Sequence, residues 1–159
     1  MNYIFDTSAL LSLQSADLLD LTLKNFTIHT TLNVLKELED FAQHSDSLGE
    51  IAKSVLTQKS KLIIKSVQIK QHLPHISQTD NELYNLALAT QFPLITDDIK
   101  LTKHAKTKTA FSTLFLFLYL DAEILTKKQA LEKLETVRNL RNWQNNIIYL
   151  NTKQHLEQQ

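Results

Sequence analysis

Cysteine is absent from the 159-residue chain, which excludes disulfides and thiolate-held zinc and fits a reducing compartment. Glycine occurs once, at Gly49. Neither a GxGxxG nor a GxxxxGK(S/T) phosphate loop can be written, so dinucleotide-binding and Walker-type NTPase readings fall away. Long apolar runs are missing as well. The longest lies around Leu114–Leu120, far short of the roughly 20 residues a membrane span needs, and reads as a buried helix. The N-terminus lacks a basic n-region and reaches Asp6 almost at once, so no secretory signal is expected and a cytoplasmic location is. Charge of one sign is lacking too, because 17 basic residues balance 17 acidic ones.

What is present is a chain of single-domain length with 43% apolar residues, enough for a hydrophobic core. It shows no repeat, low-complexity tract or interdomain linker. Its charge is unevenly spread. Residues 53–108 hold nine lysines and four acids, a balance of +5, and the remainder carries −5. A basic middle around a small acidic focus suits a site that attracts phosphate and holds a cation. A solvated surface produces the same imbalance.

The hydrophobic pattern predicts alternating strands and helices. Asn2–Phe5 reads as a buried strand ending at Asp6, followed by a helix over Ala9–Ser15 capped by Thr7 or Ser8. Phe26–Thr30 alternates as a second strand, and Thr30 or Thr31 can cap a helix reaching about His44. A helix over Asp46–Lys59 and a strand over Leu62–Val67 follow. Thr79 with Glu82 has the spacing of a capping box and opens a helix from Asp80 to about Gln91. Phe92–Thr96 predicts a strand, Leu101–Lys103 a short helix and Lys106–Ala110 another strand. Ser112–Leu120 and Lys127–Arg141 read as helices, the second capped by Thr126. This order implies an α/β fold, a parallel sheet covered by helices on both faces. Residues 1–144 would form the domain. Residues 145–159 would be an extension with a possible edge strand at Ile147–Leu150 and a frayed end.

Sites in such sheets lie beyond the carboxyl ends of the strands. The first strand delivers Asp6 there, the second leads into the helix with Glu37 and Glu39, and Leu94–Thr96 delivers Asp97 and Asp98. At about 100° per residue, Asp80 falls on the apolar side of its helix with Leu83 and Ala87, although an acid in a first turn also suits the helix dipole. Glu37 and Glu39 flank the stripe of Val34, Leu35, Leu38, Phe41 and Ala42 on opposite sides, so periodicity leaves both open. Converging carboxylates repel one another, and a divalent cation removes the repulsion. Mg²⁺ or Mn²⁺ suits oxygen ligands and activates both phosphate and water.

Four runs carry a family resemblance. Tyr3-Ile4-Phe5-Asp6-Thr7-Ser8-Ala9-Leu10-Leu11, Thr31-Leu32-Asn33-Val34-Leu35-Lys36-Glu37-Leu38, Thr79-Asp80-Asn81-Glu82-Leu83-Tyr84-Asn85-Leu86-Ala87 and Leu94-Ile95-Thr96-Asp97-Asp98-Ile99-Lys100-Leu101 resemble, in order and spacing, the acidic motifs of the PIN-domain family. The likeness covers most of residues 1 to about 140. It implies a three-layer α/β/α sandwich around a parallel sheet, and metal-dependent hydrolysis of RNA to 5′-phosphate and 3′-hydroxyl ends. By the resemblance, Asp6 and Asp98 are central ligands of Mg²⁺ or Mn²⁺, Glu37 and Asp80 complete the site, and Asp97 is a further ligand or an outer group. Ser8 and Thr96 would support by hydrogen bonding. Lys100, Lys103, Lys106 and Lys108 could hold the RNA backbone, or could simply be a solvated face. Relatives pair with a small antitoxin or form homodimers. The long Ser45–His75 stretch and the scarcity of glycine depart from the smallest toxin-type members.

Other readings stand beside this one. A phosphatase- or dehalogenase-like hydrolase would need a second acid where Ser8 stands, and a receiver domain would need its acidic pair early. A catalytically silent PIN-like module that binds RNA or a protein is the stronger alternative. His72 and His75 are read as surface histidines, since Pro74 breaks any helix that would aim both at a metal. Trp143, beside Arg138 and Arg141, could stack on a base but is assigned to packing, and Phe111, Phe115 and Phe117 to the core.

Overall fold

The computed structural model describes residues 1–158. The chain is an α/β protein whose five parallel strands form one sheet, with nine α-helices among the described residues, consistent with a three-layer α/β/α sandwich. The strands are β1 (Asn2–Phe5), β2 (Thr27–Thr31), β3 (Ile63–Lys65), β4 (Leu94–Ile95) and β5 (Thr109–Ala110). The helices are α1 (Thr7–Ser15), α2 (Leu19–Asn25), α3 (Leu32–Phe41), α4 (Ser47–Thr57), α5 (Gln78–Thr90), α6 (Ile99–His104), α7 (Leu114–Asp121), α8 (Lys127–Leu140) and α9 (Ile147–Gln158). No helix among the described residues is long and apolar enough to cross a membrane.

The sheet order β3-β2-β1-β4-β5 places the site. The chain winds outward from β1 through β2 to β3, then returns to the other side of β1 for β4 and β5. The winding direction reverses between β1 and β4, and a crevice opens beyond the strand ends where it does so. Ile4 pairs with Leu94 and Phe5 with Ile95, so Asp6 and Thr96 leave the sheet side by side. Ile4, Phe5, Leu94 and Ile95 are all inaccessible to solvent, which anchors this edge in the core. Phe115 of α7 packs edge-to-face on Tyr3, Phe5 and Phe26 at centroid distances of 5.3–5.5 Å, a geometry that aligns ring edges with ring faces. Phe111 and Phe117, expected in the core, are half-buried against it.

The tail differs from expectation. Ile147–Leu150 is no edge strand: it opens α9, which runs to Gln158 and packs on α8. Four β-favouring residues suggested extension, but the longer register decides. Ile148, Tyr149, Thr152 and Leu156 recur at helical spacing and are buried, and Asn146 Oδ1 accepts from the Ile148 amide at 2.7 Å at the start of the helix. Residues 145–158 are therefore built into the fold rather than frayed from it. Helix α2 was not anticipated, being short and lacking a side-chain cap.

Two expected caps also move. Asp6 itself caps α1, ahead of Thr7 and Ser8. Ser77 caps α5 by accepting from the Asp80 amide, so the Thr79–Glu82 box is not used, and Glu82 Oε1 instead accepts from Asn33 Nδ2 at 2.8 Å. Thr126 caps α8 with Gln129 in a complete capping box.

Candidate functional site

Beyond the ends of β1 and β4 lies a pocket of about 210 Å³ lined by Asp6, Thr7, Ser8, Leu11, Glu37, Phe41, Asp80, Asp98 and Arg141. All four acids expected to converge line it. They come from four elements: Asp6 from the β1–α1 junction, Glu37 from α3, Asp80 from the first turn of α5 and Asp98 from the start of α6. Glu39 is exposed and lies outside this lining, so the fold decides between the two glutamates that periodicity left open.

Asp6 is the fixed centre. Its Oδ1 accepts from the Ala9 amide at 2.7 Å, its Oδ2 accepts from the Thr96 hydroxyl at 2.5 Å, and the Ser8 hydroxyl stands 2.8 Å from both oxygens. The same two hydroxyls accept from the next loop: Ser8 Oγ from the Asp97 amide at 2.8 Å and Thr96 Oγ1 from the Asp98 amide at 3.0 Å. Ser8 and Thr96 thus tie the carboxylate after β1 to the backbone after β4.

The other acids are held by one oxygen each. The Thr7 hydroxyl donates to Glu37 Oε2, Ser77 Oγ donates to Asp80 Oδ2 at 2.7 Å, and Asp98 Oδ1 caps α6 by accepting from the Lys100 and Leu101 amides at 2.7 and 3.3 Å. Among the described residues, the second oxygen of each has no protein donor. No three acidic or histidine side chains among the described residues stand close enough to enclose one ion by themselves. A hard cation such as Mg²⁺ at this pocket would have to draw much of its coordination from water. Asp6, Glu37, Asp80 and Asp98 are the residues that could hold it.

Asp97 goes elsewhere. Its Oδ1 accepts from the Ser112 amide at 2.9 Å and its Oδ2 from the Ser112 hydroxyl at 2.8 Å, and it does not line the pocket. Of the two roles open to it, this geometry supports the outer one. Lys100, Lys103, Lys106 and Lys108 are exposed on α6 and the following loop, outside the pocket lining. His72 and His75 are exposed, and Trp143 is buried, as expected of a packing residue.

Burial sets the electrostatics. It pushes the Asp6 carboxyl up from 3.8 to about 7, against the lowering effect of the Thr96, Ala9 and Ser8 hydrogen bonds. Burial also raises Asp80, with Asp98 and Glu37 adding repulsion, and raises Asp97. Ionising Asp6 in the fold therefore costs stability. The penalty is absent below pH 3.8, grows as pH rises toward about 7 and is constant above. His29 acts in the opposite sense, because burial lowers its pKa from 6.5 and its penalty grows as pH falls. The reading is the difference between wild type and Asp6→Asn without metal. Urea midpoints should lie closest near pH 4 and separate by about pH 8, with the variant more stable by on the order of 1–3 kcal/mol. A gap independent of pH overturns the burial argument.

Thr7 and Arg141 were not among the expected site residues. Thr7 was read only as a cap. Arg141, which caps the C-terminus of α8, continues the buried stripe of Ala130, Leu134 and Val137, where a charged residue needs a reason. Neither a scan against protein-family models nor a search of curated proteins finds a match to the chain.

Proposed function

We propose that this pocket binds Mg²⁺ or Mn²⁺ and hydrolyses RNA phosphodiester bonds, as the resemblance to PIN-domain ribonucleases implies. One observation carries the reading: four acids far apart in the sequence line one pocket at the switch point of the sheet, and the central one is locked by three hydrogen-bonding groups. Carboxylates gathered this way favour a divalent cation, which when bound polarises phosphate and lowers the pKa of water. The chain's own groups supply orientation. Ser8 and Thr96 fix the Asp6 carboxylate, Thr7 fixes Glu37, and α6 holds Asp98 at its N-terminus. Ser77 holds Asp80 Oδ2, which leaves Oδ1 to complete the cation's oxygen ligands or to orient a water beside it.

The test uses the metal-stripped full chain and a 5′-labelled single-stranded RNA. Cleavage is expected with Mn²⁺ or Mg²⁺, with 5′-phosphate on the downstream product, and none in excess chelator. Isothermal titration with Mn²⁺ runs alongside. Binding without cleavage identifies the silent module, and absence of binding removes the metal reading.

A further inference from the structure

Arg141 lines the acidic pocket yet forms no ion pair among the described residues. Its Nε is buried and has no hydrogen-bond partner among the described residues. Arg138, one turn earlier, also has a buried Nε without a partner, but its two terminal nitrogens bond to Glu135 and Gln144 and its guanidinium lies over the Tyr149 ring, whereas no side-chain bond is made by Arg141 among the described residues. Arg141 is half-buried, and a guanidinium partly withdrawn from water with a buried N–H unpaired carries a cost that an anion in the pocket would offset.

The neighbouring carboxylates do not supply one. The charges that act on Arg141 belong to Asp97 and Asp6. Asp97 has both oxygens on Ser112, and Asp6 has both on Thr96, Ser8 and the Ala9 amide. The acids are satisfied by hydroxyls and amides, and the fork of N–H donors stays open beside them. Its base is rigid. The Arg141 amide bonds to Val137 O at 2.8 Å, Asn142 takes a left-handed conformation with φ of 54°, and the Trp143 amide returns to Arg138 O at 2.8 Å. That pattern is a Schellman closure of α8, with buried Trp143 as its anchor.

We propose that Arg141 binds the phosphate of the scissile phosphodiester in the pocket that it lines together with the acids. The planar fork matches two phosphate oxygens at once, which a lysine cannot do. An anion beside four acids needs such a cation in addition to a metal ion. The inference rests on the metal-dependent nuclease reading and deepens it.

The experiment compares wild type, Arg141→Ala and Arg141→Lys as full chains. Each is titrated with Mn²⁺ alone, then with a fluorescent single-stranded RNA oligonucleotide in Ca²⁺, over a range of salt. For Arg141→Ala, Mn²⁺ affinity should stay within about threefold, RNA affinity should fall about tenfold or more, and the slope of log K against log salt should become shallower by about 0.7. Arg141→Lys should keep the wild-type slope with reduced affinity, because the charge stays and the fork is lost. Unchanged RNA affinity and slope in Arg141→Ala overturn the proposal while leaving the metal reading intact. Loss of Mn²⁺ binding together with a lowered melting temperature assigns Arg141 to structural counter-charge and also overturns it. If the Ala variant does not fold, the Lys variant decides: wild-type RNA affinity there overturns the proposal. If wild type itself binds no Mn²⁺, the nuclease reading fails and this one with it.

Discussion

Replacing Asp6 by asparagine is expected to lower metal-dependent RNA cleavage by about 10²–10³-fold, the scale on which one preorganised charge-stabilising group is lost. The substitution is nearly isosteric. Asparagine keeps an oxygen for the Ala9 amide, and the Ser8 and Thr96 hydroxyls can reverse to suit an amide, so the local structure should persist. What disappears is the one negative charge buried to 5% exposure at the centre of the pocket. Metal-free Asp6→Asn should then be the more stable protein near neutral pH and the less active one, since the buried charge costs folding energy and would serve a bound cation. Asp97→Asn is the paired control. Asp97 lies equally close in sequence to the site, but Ser112 holds both its oxygens away from the pocket, so its loss should act only through loop geometry, by about 10-fold. The measurement is kcat/KM on a labelled RNA with saturating Mn²⁺. Equal effects of the two variants would falsify the placement of Asp6 as the central group.

The acids were legible in the sequence because strand ends deliver them. Asp6 and Asp98 each follow a short apolar strand by one or a few residues, and local chain direction fixes where such groups emerge. Glu37 was not legible from periodicity, because it flanks the buried stripe as Glu39 does. Its contact with Thr7 depends on how α3 packs against α1, a tertiary fact. The same limit explains the tail. A run such as Ile147–Leu150 is too short for period two or period 3.6 to be distinguished, and only the buried positions one and two turns later resolve it as a helix. The cap of α5 failed for a different reason. Thr79 and Ser77 are both capping residues, and the side chain that wins is the one two residues upstream, where the backbone is extended. Arg141 lies beyond all four acidic motifs and reaches the pocket only because α8 packs against α1. A motif reading cannot see such a residue, whereas a charged side chain on an otherwise apolar helical stripe can be flagged.

The single glycine makes the second large prediction. Gly49→Ala should destabilise the protein by about 3 kcal/mol or more, lowering Tm by roughly 6–12 °C for a chain of this size. The reason is contact, not backbone conformation, since Gly49 does not have positive φ. A Cβ at this position would stand 2.0 Å from the carbonyl oxygen of His44, 2.8 Å from its carbonyl carbon and 3.0 Å from the carbonyl oxygen of Phe41. These are backbone atoms and cannot rotate aside as a side chain could. Gly49 sits in the first turn of α4, its amide donating to Asp46 Oδ1 at 2.8 Å, so α4 cannot retreat without losing its cap. Ala52 and Val55, both fully buried, hold the same helix against the core. The relief must therefore come from the connection that carries His44 and from the end of α3, where Phe41 lies one turn after the pocket-lining Glu37. As far as α3 shifts, Glu37 shifts with it, so the variant should lose Mn²⁺ affinity as well as stability. Lys53→Ala is the control on the same helix. Its exposed ion pair with Glu50 should be worth less than about 0.5 kcal/mol, and the site should not respond. A Gly49→Ala protein that melts within about 2 °C of wild type would show that the α3–α4 connection yields more easily than its backbone contacts require.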